Sequence, residues 1–208
     1  MSRKVTIIGA GNVGATVAYT IAVQGTANEI VIVDVAKEKA RGEAMDMRQG
    51  SSYMPRVKIY NGEYSDAVDS DIVVITCGIG RKPGQTRLDL AKVNADLMRN
   101  HIIPDITKYA PDAVYIIVSN PVDILTYIMT KYSGIPEERI IGSGTILDSS
   151  RLRTAIADSY KIDEGSIHAS VYGEHGDSSF AAWSVARIGC LSIDEYKDRV
   201  ERYMDGIE

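Results

Sequence analysis

Three clusters in this sequence of 208 residues carry side chains fit for chemistry. The first is a stretch rich in Gly and Pro, from Arg81 to Arg87. The second is Asn120, directly behind an apolar run. The third is Asp148-Ser149-Ser150-Arg151, followed by Gly173-Glu174-His175-Gly176-Asp177. An imidazole is poised near neutral pH, so His175 can give and take a proton, and Asp148 can hydrogen-bond its other ring nitrogen. Arg151 stands three residues beyond Asp148, on the same face of a helix, and its planar fork suits a carboxylate. Arg87, beside the glycine-rich loop, can swing in and polarise a carbonyl while negative charge builds on its oxygen. Asn120 can orient that oxygen or a carboxamide. Each has a plainer alternative. Arg87 and Arg151 also read as helix-surface charges, Asp148 as a helix N-cap, and His175 as a histidine with no catalytic part. His101, in a long helix and without a partner in sequence, reads as structural.

The elements that must position these groups begin with a short apolar run at 5–8. Gly9-Ala10-Gly11-Asn12-Val13-Gly14, a helix-compatible run at 15–23 and a strand-like run at 29–33 ending in Asp34 follow it. Strand, glycine turn, helix, strand and acid in this order are the parts of a dinucleotide grip. Gly9 lets the chain turn sharply, Gly11 lets backbone approach a pyrophosphate, and Gly14 lets the helix pack close to the sheet. The helix N-terminus offers N–H groups to the phosphates. Asp34 can accept from a ribose diol and repels a 2′-phosphate, which favours NAD over NADP. Further strands are predicted at 57–60 (edge-like), 71–76, 113–119 and 139–141, and helices at 86–110, kinked or broken near Pro104, and at 121–132. This alternation gives an α/β fold, a Rossmann-type doubly wound parallel sheet, over residues 1–145. Beyond Gly144 the character changes to a helix at 148–160, a strand at 167–172, a small apolar stretch at 180–188 and a charged helix at 193–204. Residues 146–208 read as the first, incomplete part of a mixed α+β substrate domain. A dinucleotide grip together with His175, Asp148, Arg151, Arg87 and Asn120 points to reversible hydride transfer at a carbonyl carbon.

Composition narrows the classes. Apolar content of 45% and charged content of 25% are those of a soluble globular chain. A net charge of −5 with no basic block argues against nucleic acid as partner. The N-terminus leads straight into the first strand without a targeting signal, and the apolar runs are too short to span a membrane. Cys77 and Cys190 are few and far apart. They point to a reducing, cytoplasmic setting with both as small buried apolar side chains, and no metal site is expected.

Five ordered motifs carry a resemblance over the whole chain. They are G-A-G-N-V-G at 9–14, G-Q-T-R-L-D-L at 84–90, S-N-P-V-D at 119–123, G-S-G-T-I-L-D-S-S-R at 142–151 and G-E-H-G-D at 173–177. Together they resemble the L-lactate dehydrogenases and their relatives, the lactate-dehydrogenase-like malate dehydrogenases. The resemblance implies His175 as acid/base with Asp148 as its carboxylate partner. It also implies Arg151 on the substrate carboxylate, Arg87 on the carbonyl and Asn120 on substrate and cofactor. It implies NAD contacts at Gly9, Gly11, Asn12, Val13, Gly14, Asp34, Lys39, Tyr64, Gly78, Ile79, Val118 and Ser143. Members of the family run to roughly 300 residues, which implies that about the last third is missing here. Arg81 falls at the family's substrate-selecting position. A neutral Gln is usual there in lactate enzymes, while Arg is usual in malate enzymes. The surrounding motifs look like the lactate branch, so lactate and pyruvate are the expected pair, with malate and oxaloacetate as the alternative. An inactive, truncated NAD-binding module is the second alternative. Arg153 and His168 match the positions at which bacterial lactate dehydrogenases bind fructose 1,6-bisphosphate across a subunit interface. The resemblance thus implies a glycolytic, pyruvate-fermenting, allosteric homotetramer when full length.

Overall fold

Runs such as Glu29–Val33 are apolar on both faces, and a strand of that kind needs cover on both sides. The computed structural model, which describes residues 3–80, 84 and 86–205, provides that cover. The chain divides into two units, one up to Gly142 and one from Ser143 onwards. The first runs β1 (Lys4–Ile8), α1 (Asn12–Gln24), β2 (Glu29–Val33), α2 (Lys37–Gln49), β3 (Lys58–Gly62), β4 (Ile72–Ile75), α3 (Arg87–Leu97), α4 (Ile103–Tyr109), β5 (Val114–Ile117), α5 (Val122–Tyr132) and β6 (Ile140–Gly142). Among the described residues its six strands form one parallel sheet in the order β3-β2-β1-β4-β5-β6. The chain works outward from β1 to the edge at β3, then returns to lay β4 on the other side of β1. This reversal opens a crevice at the carboxyl ends of β1 and β4.

Side chains alternate between two cores. Ile7, Ile30, Ile32 and Val74 point to a face covered by Ala18 and Ala22 of α1 and by Ala40, Ala44 and Met47 of α2. Val31, Val73, Ile75 and Ile117 point to the other face, against Met98, Ile102, Ile106, Leu125 and Met129. The fully buried residues of α1 are all small, Gly14, Ala18 and Ala22, with Val17 and Ile21 packed at the margin of the same core. That brings its first turn close: a Cβ added at Gly14 would run into the Gly9 carbonyl oxygen and lie 2.6 Å from Thr76 Oγ1.

The helix expected over 86–110 is interrupted. α3 passes into a π turn at Met98–Ile102 before α4 begins. Pro104 has no N–H to give to the preceding turn, and the widened turn closes instead with the Ile103 N–H on Met98 O. α2 was not foreseen, because its buried face is made of Ala40, Ala44 and Met47 in an otherwise charged segment.

The second unit contains α6 (Ile146–Tyr160), β7 (Ile167–His168), β8 (Val171–Tyr172), β9 (Phe180–Ala181), β10 (Arg187–Ile188), β11 (Leu191–Ser192) and α7 (Ile193–Asp205). Ile156 and Ala157 of α6 pack on Ile167, Ala169, Ala186 and Ile188. The single strand expected at 167–172 is two. β7 pairs with β10 while β8 pairs with β9. The break has a cause in α6 and the residue before it. Val171 N–H donates to Ser149 Oγ at 2.9 Å, and Thr145 Oγ1 donates to Val171 O at 2.6 Å, so side chains take the backbone groups of Val171. Cys190, expected to be buried, is exposed beside Gly189, which turns the chain with φ +58°.

Gly11 differs from Gly14 in that a Cβ there would meet nothing within 4 Å. Gly14→Ala should therefore cost about 2–3 kcal/mol of unfolding free energy in urea titrations, and Gly11→Ala less than about 1 kcal/mol. Equal losses would mean that α1 is not held by close contact at Gly14.

Candidate active site

The crevice is built from loops that begin where the strand ladders stop. At the end of β1, Gly9 adopts φ +113°, and a Cβ there would sit 2.8 Å from both Cys77 N and Thr76 Oγ1. At the end of β2, Asp34 accepts from Ala10 N at 2.6 Å and Ala36 N at 2.8 Å, tying the glycine turn to the neighbouring strand. Thr76 Oγ1 donates to the carbonyls of Ile8 and Gly9. Ser119 Oγ, behind β5, donates to Ile75 O at 3.2 Å and Cys77 O at 2.5 Å.

A cavity of about 280 Å³ lies among these loops, lined by Val13, Gly78, Ile79, Asn94, Val118 and Asn120 with four neighbours. Val13 and Ile79 leave about half of their surface uncovered, 53% and 43%. Asn120 is exposed at the same end of the sheet, and Tyr64 is half-buried in the short turn Tyr64–Ala67. Burial, reinforced by nearby Cys77, Asp105 and Asp34, pushes the Tyr64 phenol up to about 12. Lys39 is exposed in the first turn of α2, and Asn12 opens α1. The open space above Gly11, the unfilled N-terminal turn of α1 and the apolar walls fit a dinucleotide, with phosphates at the helix end and a flat ring against Val13 and Ile79.

In the second unit, α6 starts at Ile146, so Asp148 lies inside its first turn and is not its cap. Asp148 uses both oxygens. Oδ2 meets His175 Nδ1 at 2.6 Å and Oδ1 meets Arg151 Nη1 at 3.4 Å. The His175 and Asp148 side chains keep 29% and 25% of their surface, while Arg151 keeps 65% and extends from the helix. The imidazole, its carboxylate and a solvent-facing guanidinium therefore form one connected group. Ser143 is half-buried at the start of this unit, Arg153 is half-buried on α6, and His168 is exposed on β7 opposite Arg187.

Arg81 lies outside the described residues. The backbone of Arg87 begins α3, behind a Thr86 cap whose Oγ1 accepts from Asp89 N at 3.1 Å. His101 is exposed on the π turn. Sequence reasoning assigned no role to three residues that fix backbone near the candidate groups: Asn94 in the first unit, and Thr145 and Ser149 in the second. Asn94 had a legible signal, a polar side chain at the helical spacing of buried Ala91 and Met98. Among the described residues no group of acidic, His and Cys side chains could hold a metal, and no helix is long and apolar enough to cross a membrane.

Comparison with known proteins matches the two units separately. Residues 3–142 match the family described as lactate/malate dehydrogenase, NAD binding domain, and residues 145–206 its alpha/beta C-terminal domain. An L-lactate dehydrogenase of Clostridium perfringens (strain SM101 / Type A) is 48% identical over 205 residues, covering 99% of this chain and 64% of that protein. The ligand-bound crystal structure of minor L-lactate dehydrogenase from Enterococcus mundtii is similar with TM-score 0.90 and 45% identity, over 94% of this chain and 62% of that one. The apo malate dehydrogenase of Picrophilus torridus is similar with TM-score 0.89 and 34% identity, over 97% of this chain and 65% of that one. The chain thus spans about 64% of the length of the curated relatives it matches.

The cysteines give a check on the crevice that needs no ligand. Burial pushes the Cys77 thiol up to about 12, so it stays protonated and unreactive at pH 8, whereas Cys190 is open to solvent. A disulfide reagent such as DTNB should label Cys190 quickly in the native chain and Cys77 only after denaturation. Rapid labelling of both would mean that the floor of the crevice is open.

Proposed function

We propose, on the premise that this chain belongs to the lactate/malate dehydrogenase family, that the protein is an NAD-dependent L-2-hydroxy acid dehydrogenase interconverting (S)-lactate and pyruvate. The observation that carries this reading is the Asp148 carboxylate, which holds His175 with one oxygen and Arg151 with the other. NAD, when bound, supplies or accepts the hydride. The chain's residues do the rest. Gly11 and the first turn of α1 receive the pyrophosphate, and Asp34 receives the adenosine ribose. Asp148 fixes the imidazole through Nδ1, so the proton for the substrate oxygen is carried at Nε2 of His175. Arg151 grips the substrate carboxylate through two parallel hydrogen bonds. Arg87 stabilises the charge that grows on the carbonyl oxygen, and Asn120 orients the reacting groups. Lys39, Tyr64, Gly78, Ile79, Val118 and Ser143 complete the cofactor contacts.

Arg81 supports a second reading, malate and oxaloacetate, because a guanidinium at the substrate-selecting position can pair a second carboxylate. The 48% identity to an L-lactate dehydrogenase supports the first. We further propose a homotetramer in the cytoplasm, serving glycolysis and pyruvate fermentation. Its activator is fructose 1,6-bisphosphate, held by Arg153 and His168. Two free cysteines, one of them exposed, fit a reducing compartment.

The deciding experiment is a substrate panel, pyruvate against oxaloacetate with NADH, on this chain and on a version extended to the length of its relatives. Pyruvate should be the faster substrate, and Arg81→Gln should lower any oxaloacetate rate. His175→Asn should slow turnover by about 10²–10⁴-fold with NADH affinity nearly unchanged. No turnover of either acid by the extended protein, with NADH still bound, would favour a binding module that does no chemistry. Asp34→Ser should narrow the preference for NADH over NADPH, and an unchanged ratio would remove Asp34 from the ribose. The pyruvate KM should fall on adding fructose 1,6-bisphosphate and stay put in Arg153→Gln. An effector-independent KM in the wild type would end the allosteric proposal.

A further inference from the structure

Asn94 is buried inside α3, with only 4% of its surface accessible, at the same helical spacing as apolar Ala91 and Met98. A polar side chain in such a place is costly unless its hydrogen bonds are made. Here they are made to two separate loops. Asn94 Oδ1 accepts from Ile79 N at 2.8 Å, and Nδ2 donates to Ile79 O at 3.3 Å and to Asn120 O at 3.1 Å. One carboxamide thus reads both backbone groups of Ile79, in the loop behind β4, and the carbonyl of Asn120, in the loop behind β5. Neither loop has a strand ladder at these residues to fix it. Gly78 lies against the same side chain, since a Cβ there would be 3.5 Å from Asn94 Oδ1.

The cavity between these loops belongs to one half of the crevice. With Asp34 at the end of β2, the adenosine half of a dinucleotide lies over β2. The other half then extends over β4 and β5, on the far side of the switch point. Asn94 is therefore remote from the adenosine half and forms part of the wall for the other.

We infer that Asn94 is a positioning residue for the nicotinamide half of the cofactor. It sets the distance between the Ile79 and Asn120 loops, so that the ring fits between Ile79 and Val13 while Asn120 is held at its edge. The inference rests on the proposed NAD chemistry. No partner other than an amide meets the requirement. Holding Ile79 N takes an acceptor and holding the two carbonyls takes donors, on adjacent atoms of one short side chain. Aspartate has the same shape and keeps the acceptor, but turns a carboxylate oxygen towards two carbonyl oxygens.

The test compares two ligands on the 208-residue chain by titration calorimetry. NADH uses both halves of the crevice. ADP-ribose keeps the adenosine, the pyrophosphate and the second ribose and lacks only the nicotinamide. Asn94→Asp should weaken NADH by about ten- to a hundredfold and leave ADP-ribose within about threefold of wild type. Asn94→Ser, which keeps a small polar group and leaves room for water, should show the same split with a smaller loss. A residue needed only for folding would lower both affinities together, and that result in both variants would overturn the inference. So would unchanged NADH affinity in a folded Asn94→Asp chain. If wild type binds neither ligand, the NAD reading itself falls and takes the inference with it. If wild type binds both and only the split is missing, NAD binding stands and Asn94 loses its role.

Discussion

The first unit depends on how closely α1 approaches the turn beneath it. Gly14 faces the Gly9 carbonyl and Thr76 Oγ1 with no room for a methyl group. This contact draws together three segments: the end of β1, the end of β4 and the first turn of the helix. It also points the N–H groups of that turn at the carboxyl edge of the sheet, where the strand order reverses. Ala18 and Ala22 continue the same close approach along the helix. A larger residue along this line would lift the helix and leave its N-terminus aimed away from the crevice.

Parallel sheets leave their carboxyl-end loops without ladder hydrogen bonds, yet ligands bind there. This chain meets the difficulty with side chains that act on backbone. Asp34 holds Ala10 and Ala36, Thr76 holds Ile8 and Gly9, Ser119 holds Ile75 and Cys77, and Asn94 holds Ile79 and Asn120. Thr145 and Ser149 do the same for Val171 in the second unit. Among the described residues no buried side-chain polar atom lacks a partner. Loops fixed this way are ordered before any ligand arrives, which lowers the entropy lost on binding.

What could be read from the sequence was what local pattern encodes. The run 29–33, the glycine turn at 9–14 and the acid at 34 gave strand, turn and helix in place, because burial on both faces and positive φ leave direct marks on residue type. The edge position of the third strand was likewise visible in its mixed composition. α2 was hidden because Ala40 and Ala44 serve as core residues without being strongly apolar. The division of 167–172 into β7 and β8 was hidden because its cause lies at Thr145 and Ser149, more than 20 residues away. In the site, the pairing of Asp148 with His175 was legible from residue type, while the sharing of that carboxylate with Arg151 needed the helix phase. Cys190 was misjudged because exposure at a glycine turn depends on where the chain folds back, which composition does not record.

The π turn at Met98–Ile102 changes what kind of alteration this helix tolerates. Buried positions step by three or four before it, at Ala91, Asn94 and Met98, and again after it, at Ile103, Ile106 and Ala110, while at its end Ile102 and Ile103, neighbours in sequence, are both buried. The wider turn absorbs one extra residue, so both helical pieces keep their buried side towards the same core instead of being rotated by about 100° against each other. Removing one residue between 98 and 102 would let the turn close as ordinary α-helix with the rear piece still facing the sheet, whereas one further insertion would turn that piece out of phase. After such an insertion Asn94 in the front piece and Ile106 in the rear could not both face inward.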